Sequence, residues 1–463
     1  MKRRIPIVKA LQTIDKDIII CGWVRTVRHL KEIIFIEVND GSCLTNLQLV
    51  LSSSSPLCEL VNDITVGTSL QCEGRVKQSE GKEQAIEMHP SSITIFGTSD
   101  RESFPLQKKR HSDEYLRTIA HLRPRTNKYG AMLRIRSQAA FAIHSFFHNE
   151  GFFYVHTPII TGSDCEGAGE MFRVTTLQPT SPLVEDSAEK RELYFKEDFF
   201  CKEAGLTVSG QLEAEALMMG LGKVYTFGPT FRAENSNTAR HAAEFWMVEP
   251  EFAFGTLEDC MELGERCIQY VVQSVLDTSA EDISLFSQFV HKGLLEELQV
   301  LLEPFVRISY REAIEILSKE QQRFQYQVAF GTDLQTEHER FLAEEYYKKP
   351  VIVYNYPKDI KAFYMKQNED GETVAAMDIL IPRIGELVGG SQREENREKL
   401  EQRMKSLGIS TEELWWYLDI RRYGTVPHAG FGLGFERLLM MLTGISNIRD
   451  VIAFPRVPGS LDF

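Results

Sequence analysis

The chain of 463 residues is longer than one hydrophobic core usually supports, so two or more domains are expected. Its composition, 43% hydrophobic and 25% charged, is that of an ordinary globular protein, and no apolar run approaches the roughly 18 residues that a membrane helix needs. A net charge of -14 argues against a general nucleic-acid coat, and the basic N-terminus lacks the apolar stretch of a signal peptide, so we expect a cytoplasmic protein without membrane contact.

Five short apolar segments separated by turn residues predict a small antiparallel barrel near the N-terminus. They cover residues 18–24, 33–38, 47–51, 69–76 and 92–96, with a helical connection near 55–65. Asn39-Asp40-Gly41 is a strong signal for a hairpin between the second and third segments. This arrangement suits an OB-type barrel, which commonly binds single-stranded nucleic acid. An SH3-like barrel that only packs on its neighbour is the alternative.

A charged, proline-containing segment over 101–130 predicts a hinge after the barrel. Ten Lys or Arg residues and only three acids lie between Arg101 and Arg136. By itself this is typical of a solvated surface. Next to a barrel of the OB type, it favours contact with a nucleic acid.

From residue 131 onward, the pattern predicts a large sheet with flanking helices. Helical periodicity covers 133–150 and ends at Gly151, a suitable C-cap. Further helices are predicted at 257–277 and 394–406, and strands at 224–227 and 375–379. Residues 280–345 are interpreted as a helical insertion without chemistry of its own.

One segment of this second domain, residues 227–245, has the side chains to hold a nucleotide. Arg232 and Glu234 are predicted at the end of a strand, where residues two apart point to the same side, and Phe245 is predicted on the returning strand. Guanidinium, carboxylate and ring could contact a phosphate, an exocyclic amine and a base, respectively. By itself, however, Arg-x-Glu is equally typical of a hairpin with a surface ion pair.

Two other segments give weaker signals. Residues 430–440 contain three alternating glycines, which would let the backbone approach a ligand, followed by an apolar run that predicts a buried helix. Residues 152–158 predict a strand that stops at Pro158. They carry no catalytic group and are interpreted as packing or interface.

In this order, the three segments resemble the signature motifs of the class II aminoacyl-tRNA synthetases, and the resemblance covers essentially the whole chain. The sequences Phe-Gly-Pro-Thr-Phe-Arg-Ala-Glu-Asn-Ser-Asn-Thr at 227–238 and Phe-Trp-Met-Val-Glu-Pro-Glu at 245–251 look like the second motif of the asparaginyl-tRNA synthetase family. The resemblance implies an α+β fold with three parts. They are an OB-fold anticodon-binding domain at 1–100, a hinge at 101–130, and a class II catalytic domain at 131–463, an antiparallel sheet flanked by helices.

The resemblance also implies the reaction and the residues that bind ATP. L-asparagine and ATP would give asparaginyl-adenylate and pyrophosphate, and the amino acid would then pass to the 3′-OH of the terminal ribose of tRNA(Asn). Arg232 would contact the α-phosphate and stabilise the transition state, and Arg437 would stack on adenine. The other contacts implied are Phe245 on the second face of adenine, Glu234 on its amine, His241 near the terminal phosphates, and Asp378 and Glu386 on Mg²⁺.

The expected amino-acid pocket favours asparagine over aspartate. Glu166 and Gln211 would contact the ammonium end, Arg393 the side-chain oxygen, and Glu249 the amide NH₂ group. Gln211 is expected on a strand that includes Ser209 and Gly210. The aspartate family places a lysine three residues after this glutamine, whereas this chain has Ala214 there. Its neighbours, Glu213 and Glu215, add negative charge. Losing a cation and gaining carboxylates disfavours a second carboxylate.

The same resemblance assigns the tRNA contacts and the subunit interface. Phe35 and Gln48 match barrel positions that stack on and read the central anticodon base, with Arg25 and Arg28 beside them. Core packing is the alternative for Phe35. Pro158 corresponds to an interface proline, so a two-fold homodimer is expected.

Three alternative functions have distinct signatures. The first is an aspartyl-tRNA synthetase, possibly a non-discriminating one. The second is a relative that makes free asparagine from aspartate with ATP, which would need no anticodon barrel. The third is a non-enzymatic RNA-binding regulator, which we would expect to lose Arg232, Glu234, Arg437 or the metal-binding acids, all of which are present.

Overall fold

The computed structural model describes residues 4–79, 81, 84–107, 111–163, 165, 171–178, 188–236 and 238–463. The chain divides into two compact units, the first ending at Arg134 and the second beginning at Ile135. Among the described residues, none of the helices combines the length and apolar character that a membrane crossing requires.

The first unit contains a closed barrel. Its strands are β1 (Asp17–His29), β2 (Ile33–Asn39), β3 (Leu47–Ser52), β4 (Ser69–Gln78) and β5 (Ile86–Gly97), joined in the order β1-β2-β3-β5-β4. Its short helices are α1 (Ile7–Ala10), α2 (Cys58–Val61) and α3 (Asp113–Thr118), with a 3₁₀ turn at Arg123–Arg125. The predicted five-stranded OB-type barrel is confirmed.

Alternating burial explains the barrel. In β2, Ile34, Ile36 and Val38 enter the core, while Phe35 and Glu37 are only partly buried and lie on the opposite face. The β2–β3 hairpin is confirmed, but its connection is the loop 40–46 rather than a two-residue turn.

The second unit is built on an eight-stranded sheet with the order β12-β13-β14-β15-β16-β11-β10-β6, and a small sheet with the order β7-β9-β8. The strands are β6 (Phe153–Tyr154), β7 (Ile160–Thr161), β8 (Arg173–Val174), β9 (Ala204–Leu206), β10 (Lys223–Phe231), β11 (Glu244–Ala253), β12 (Val306–Ser309), β13 (Val351–Pro357), β14 (Thr373–Ile381), β15 (Gly385–Gln392) and β16 (His428–Gly434). The pairs β10–β6 and β12–β13 are parallel, and the other pairs of the large sheet are antiparallel.

Helices cover this sheet, as predicted for an α+β domain. They are α4 (Asn127–Asn149), α5 (Ala188–Lys196), α6 (Gln211–Leu221), α7 (Leu257–Thr278), α8 (Ala280–Phe289), α9 (Leu294–Val300), α10 (Tyr310–Ser318), α11 (Thr336–Arg340), α12 (Arg397–Ser406), α13 (Trp415–Asp419) and α14 (Phe435–Thr443). There are 3₁₀ turns at Gln321–Arg323, Lys358–Ile360 and Ile448–Asp450, and a π-helix at Phe341–Tyr346. Every residue of β14 is buried, so the centre of the sheet is covered on both faces.

Local sequence sets several of these boundaries. A capping box of Thr256 and Asp259 starts α7, and Gly151, with φ +80°, follows α4 as the predicted C-cap region requires. The first predicted helix begins earlier than its apolar periodicity, at Asn127. The segment 280–345 is mainly helical and also contributes β12 to the sheet.

Candidate active site

Arg232 and Phe245 lie together at the end of the β10–β11 hairpin. The strand register places Thr230 opposite Phe245, and the Arg232 guanidinium carbon lies 5.5 Å from the centre of the Phe245 ring. β10 ends at Phe231, so the prediction that Arg232 and Glu234 share one strand face is wrong: both lie in the following loop. Arg232 N nevertheless donates to Ala243 O at 3.0 Å, which keeps the loop aligned with the hairpin.

Glu234 makes two long ion-pair contacts within this loop. Arg232 Nη1 lies 3.9 Å from Glu234 Oε1, and His241 Nε2 lies 3.8 Å from Glu234 Oε2. Burial lowers the pKa of His241, and this favours its uncharged form. Both separations exceed a normal hydrogen bond, whereas His241 Nδ1 is within hydrogen-bond distance of the hydroxyls of Ser236, at 3.1 Å, and Thr238, at 2.5 Å.

Arg437 is positioned by the start of α14. The buried carboxylate of Glu436 accepts from Arg136 Nη1 and from Trp246 N, both at 2.8 Å, which attaches the first turn of α14 to β11. Arg437 Nη1 then donates to Glu386 O at 2.8 Å and lies 3.6 Å from Glu386 Oε2. The motif-derived arginine is therefore fixed beside β15.

The alternating glycines of β16 have a different role from the one predicted. A Cβ at Gly432 would lie 2.6 Å from Met247 Cε, and one at Gly430 would collide with the Glu251 carboxylate. These two glycines make room for side chains of the neighbouring β11. The prediction that they admit a ligand is wrong for Gly430 and Gly432.

Asp378 on β14 and Glu386 on β15 face a common space above Gly389. A Cβ at Gly389 would lie 2.9 Å from Glu386 Oε1 and 3.4 Å from Asp378 Oδ1. Burial raises the pKa of Asp378, and the ammonium group of Lys361, 2.7 Å from Asp378 Oδ2, opposes this shift. Only glycine at 389 leaves the space between the two carboxylates open.

Two side chains beside these acids were missed by sequence reasoning. The Tyr356 hydroxyl hydrogen-bonds to Asp378. Glu339 Oε2 accepts from Glu386 N at 3.1 Å, and burial together with the charge of Glu386 raises the pKa of Glu339 to about 7. Neither residue belongs to a recognisable motif, and no local pattern marked them.

At the other end of the site, Glu249 on β11 is almost completely buried and accepts three hydrogen bonds. The donors are the Ser209 hydroxyl, Gly210 N at 3.1 Å and the Thr226 hydroxyl at 3.0 Å. These bonds fix the carboxylate in one orientation.

Gln211 is the first residue of α6, so the prediction that it lies on a strand is wrong. Its Nε2 donates to Glu215 Oε1, one helical turn later, at 3.0 Å. Ala214 is fully buried on the same helix. Glu166, the other residue predicted at the ammonium end, lies outside the described residues.

Arg393 follows β15 and is buried in a bidentate ion pair. Its Nε and Nη2 donate to the two oxygens of Glu251, and its Nη1 donates to the Ser391 hydroxyl at 2.8 Å. Burial raises the pKa of Glu251 and the Arg393 guanidinium opposes that shift. The guanidinium is therefore already compensated by a carboxylate of the protein.

Glu215 was predicted to add negative charge beside Ala214, but the structure surrounds it with donors. Arg421 Nη2 lies at 2.6 Å, the Tyr417 hydroxyl at 2.8 Å and His428 Nε2 at 3.1 Å. Burial alone would raise the pKa of Glu215, yet Arg421 and His428 hold it below its usual range. The prediction that Glu215 adds uncompensated negative charge beside Ala214 is wrong, because Arg421 and the other donors balance its charge.

Glu213 points elsewhere. It lines a separate cavity of about 540 Å³ together with His156, Pro158 and Trp416. Pro158 itself is exposed, and so are the apolar side chains of Phe153, Tyr154, Ile159 and Ile160 around it.

In the barrel, three of the residues predicted to contact tRNA, Arg28, Phe35 and Gln48, lie on one outer face, where Gln48 is only 8% exposed. The register places Arg28 opposite Phe35 and Glu37 opposite Gln48. Phe35 is only partly buried and points away from the core, which excludes the alternative that it is a core residue. Arg28 forms an ion pair with Glu37 at 3.2 Å.

Arg25 is placed differently. It lies at a bulge of β1, and its Nη2 donates to Asn127 Oδ1 at 2.6 Å. Burial lowers its pKa, with Glu37 acting against the shift. Arg25 is therefore near Arg28 and Glu37, but its guanidinium is hydrogen-bonded to the segment that follows the barrel.

Comparison with known proteins agrees with this geometry. Residues 112–458 match the family model of class II tRNA synthetases for aspartate, lysine and asparagine, and residues 18–96 match the OB-fold nucleic-acid-binding domain. An asparagine–tRNA ligase of Oleidesulfovibrio alaskensis is 61% identical over 448 residues, which cover 96% of each chain.

Two solved structures are similar over the whole chain. Asparaginyl-tRNA synthetase from Pyrococcus horikoshii, complexed with asparaginyl-adenylate, has a TM-score of 0.87 at 33% identity and 100% coverage of both chains. The Entamoeba histolytica asparaginyl-tRNA synthetase, also in complex with asparaginyl-adenylate, has a TM-score of 0.83 at 26% identity, with coverage of 100% and 99%. The chain therefore belongs to the class II aminoacyl-tRNA synthetases and, within them, to the family of asparagine–tRNA ligases.

Proposed function

We propose that this chain activates L-asparagine with ATP and transfers the asparaginyl group to the 3′-OH of tRNA(Asn). The observation that carries the proposal is that the predicted site residues lie on, or directly after, neighbouring strands of one sheet, from β14 through β15 and β11 to β10, and in the first turn of α14. Arg232, Phe245 and Arg437 stand at one end of the site, and Glu249 and Arg393 at the other. Relatives with full-length similarity carry this activity in their names.

In the first step, a carboxylate oxygen of asparagine attacks the α-phosphorus of ATP. The bond from the α-phosphorus to the bridging oxygen breaks, and pyrophosphate leaves with the electron pair. The attacking carboxylate is already ionised, so no general base is required. The rate depends on alignment and on compensation of the charge that builds up on the α-phosphate, which we assign to Arg232.

The adenosine end is held by groups of three kinds. Phe245 and Arg437 would enclose the adenine ring, Glu234 would accept its amine, and His241 would reach the terminal phosphates. The ion-pair contacts of Glu234 support this assignment, because they are 3.9 Å long to Arg232 and 3.8 Å long to His241, so ATP would break no close ion pair of Glu234.

Asp378 and Glu386 fit a Mg²⁺ ion, because both carboxylates border the space that Gly389 leaves open. Among the residues that the structure describes, no three His, Cys, Asp or Glu side chains are arranged to hold a metal without help. ATP oxygens and water would supply the remaining ligands, as is usual for Mg²⁺. When bound, the ion would neutralise phosphate charge.

In the second step, the 3′-OH of tRNA attacks the carbonyl carbon of the adenylate and AMP leaves. The barrel face around Phe35 and Gln48 would select the tRNA, with Phe35 as the platform on which an anticodon base stacks. Arg28 lies beside Phe35 and supplies positive charge for the backbone.

We assign asparagine rather than aspartate from two buried residues that would face the side chain of the amino acid, Glu249 and Arg393. Glu249 is a fixed acceptor for an amide NH₂, whereas the carboxylate of aspartate would meet it as a like charge. Arg393 donates to the side-chain oxygen, but its charge is already compensated by Glu251.

The proposal includes a homodimer and a cytoplasmic location. Exposed apolar residues surround Pro158, and β6 is the edge strand of the large sheet. A second copy placed on this surface would cover both.

The test is ATP–pyrophosphate exchange with the purified chain. We expect asparagine to drive the exchange and aspartate to fail at the same concentration. Equal rates with both amino acids would instead support a non-discriminating aspartyl enzyme.

A further inference from the structure

We propose that Glu215 is a positioning residue that sets the preference for asparagine over aspartate, by orienting Gln211 and by compensating part of the charge of Arg393. This inference rests on the proposed function and names a residue that contacts no substrate. It follows from the position of one buried carboxylate between the two ends of the amino-acid pocket.

The contact with Gln211 fixes the orientation of an amide. A glutamine amide presents two N–H donors on one side and a carbonyl acceptor on the other, and the two differ only by a flip. Because Gln211 Nε2 donates to Glu215 Oε1 at 3.0 Å, the nitrogen is committed to Glu215 and the carbonyl oxygen is directed away from it. A carbonyl in that orientation suits the ammonium group of an amino acid.

The contact with Arg393 compensates part of the positive charge of its guanidinium. Arg393 Nε lies 3.9 Å from Glu215 Oε1, in addition to its bidentate pairing with Glu251. Both carboxylates and both guanidinium groups of this cluster, including Arg421, are at most 4% exposed. Removing the charge of Glu215 makes the surroundings of Arg393 more positive by one unit in a place that water does not screen.

Glu215 is itself held from the opposite side. The Tyr417 hydroxyl donates to it, and Arg421 Nη2 and His428 Nε2 approach the oxygen that does not contact Gln211. The carboxylate is thus clamped between a rigid set of donors and the two pocket residues. A shift of Glu215 would move Gln211 and change the field at Arg393 together.

The test compares Glu215→Gln with the wild type in ATP–pyrophosphate exchange, with asparagine and aspartate as separate substrates. We expect the KM for asparagine to rise about tenfold to a hundredfold, the loss typical of a hydrogen bond to a charged group. The KM for aspartate should fall, while the KM for ATP stays within twofold. The ratio of the two kcat/KM values is the readout, and a merely structural role would leave it unchanged.

Glu401→Gln is the control, because it removes the same charge from a surface ion pair with Lys405 on α12, outside the site. Its selectivity should equal that of the wild type. Glu215→Asp is the second variant, and it guards against a folding failure of Glu215→Gln. It keeps the charge but shortens the reach, so the KM for asparagine should rise without any gain with aspartate.

These measurements distinguish a failure of the proposed function from a failure of the role assigned to Glu215. If the wild type does not activate asparagine, the proposed function fails and this inference fails with it. If the wild type activates asparagine and Glu215→Gln keeps the same ratio of kcat/KM values, only the inference is overturned. A gain with aspartate in Glu215→Asp as large as in Glu215→Gln would also overturn it.

Discussion

The nucleotide end and the amino-acid end of the site hold their charges in different ways. Arg232 and Glu234 are about one-third exposed, and their ion pair is 3.9 Å long. Arg393, Glu251 and Glu215 are nearly inaccessible to solvent and closely paired. The first group can rearrange around phosphates, whereas the second is fixed before any ligand arrives. Adjustable charge suits a flexible triphosphate, and fixed charge suits a choice between an amide and a carboxylate.

The largest expected effect concerns the fixed end. Glu251→Gln should lower the free energy of unfolding by about 3–5 kcal/mol, because it leaves Arg393 buried without its main counter-charge. Denaturant unfolding measures this value. Glu401→Gln is the control, since Glu401 pairs with Lys405 on the surface of α12, and its midpoint should stay near that of the wild type. Equal losses in the two variants would remove the distinction between fixed and adjustable charges.

At the adjustable end, the effect should be on catalysis instead of stability. Arg232→Ala should lower kcat for pyrophosphate exchange by on the order of 10²–10³, as expected when a transition-state charge loses its partner. Its melting temperature should change little. Arg422→Ala, a change at an exposed arginine on the same unit, should leave both quantities intact. A large loss of stability in Arg232→Ala would contradict the comparison.

A substitution in a third region, the outer face of the barrel, should affect neither the nucleotide end nor the amino-acid end of the site. Phe35→Ala should raise the KM for tRNA by roughly tenfold, within the 1–3 kcal/mol typical of one base stacked on an aromatic ring. Pyrophosphate exchange should be unchanged. Phe96→Ala, which removes an exposed ring from β5 of the same barrel, is the matched control. Parallel losses of charging and exchange in Phe35→Ala would refute the separation.

The smallest effect is expected from filling the space between the two metal-binding acids. Gly389→Ala should displace Glu386 and Asp378 at a cost of about 1 kcal/mol or more. The Mg²⁺ concentration for half-maximal exchange should therefore rise. Gly220→Ala is the control, because a Cβ there meets nothing within 4 Å. An unchanged Mg²⁺ requirement would place the metal elsewhere.

Sequence alone predicted the parts of the fold that depend on local pattern. The short apolar segment over 33–38, followed by turn residues, predicted β2, and the apolar run after Gly434 predicted α14. The motif residues Arg232, Phe245 and Arg437 were found because they lie in short continuous strings. The placement of Arg232 past the end of β10 could not be predicted, since an apolar pattern does not mark where a strand ends.

The pairings of the buried charges were beyond sequence reasoning for a physical reason. Glu215 and Arg421 are 206 positions apart, and Arg393 and Glu251 are 142 positions apart. Arg393 and Glu251 meet because β15, β16 and β11 are neighbours in the sheet, whereas Glu215 on α6 meets Arg421 after α13 through tertiary packing. Neither strand order nor helix packing is encoded in local periodicity. The role of Gly430 and Gly432 was predicted wrongly for the same reason, because the sequence does not show that β11 is the neighbour of β16.

The central claim is that this site attaches asparagine to tRNA. Its most direct measurement is the charging of unfractionated tRNA with radiolabelled asparagine, and separately with radiolabelled aspartate, by the wild-type chain and ATP. We predict acid-precipitable label that depends on ATP with asparagine and background label with aspartate. Label from aspartate at a comparable rate, or none from asparagine, would contradict the account.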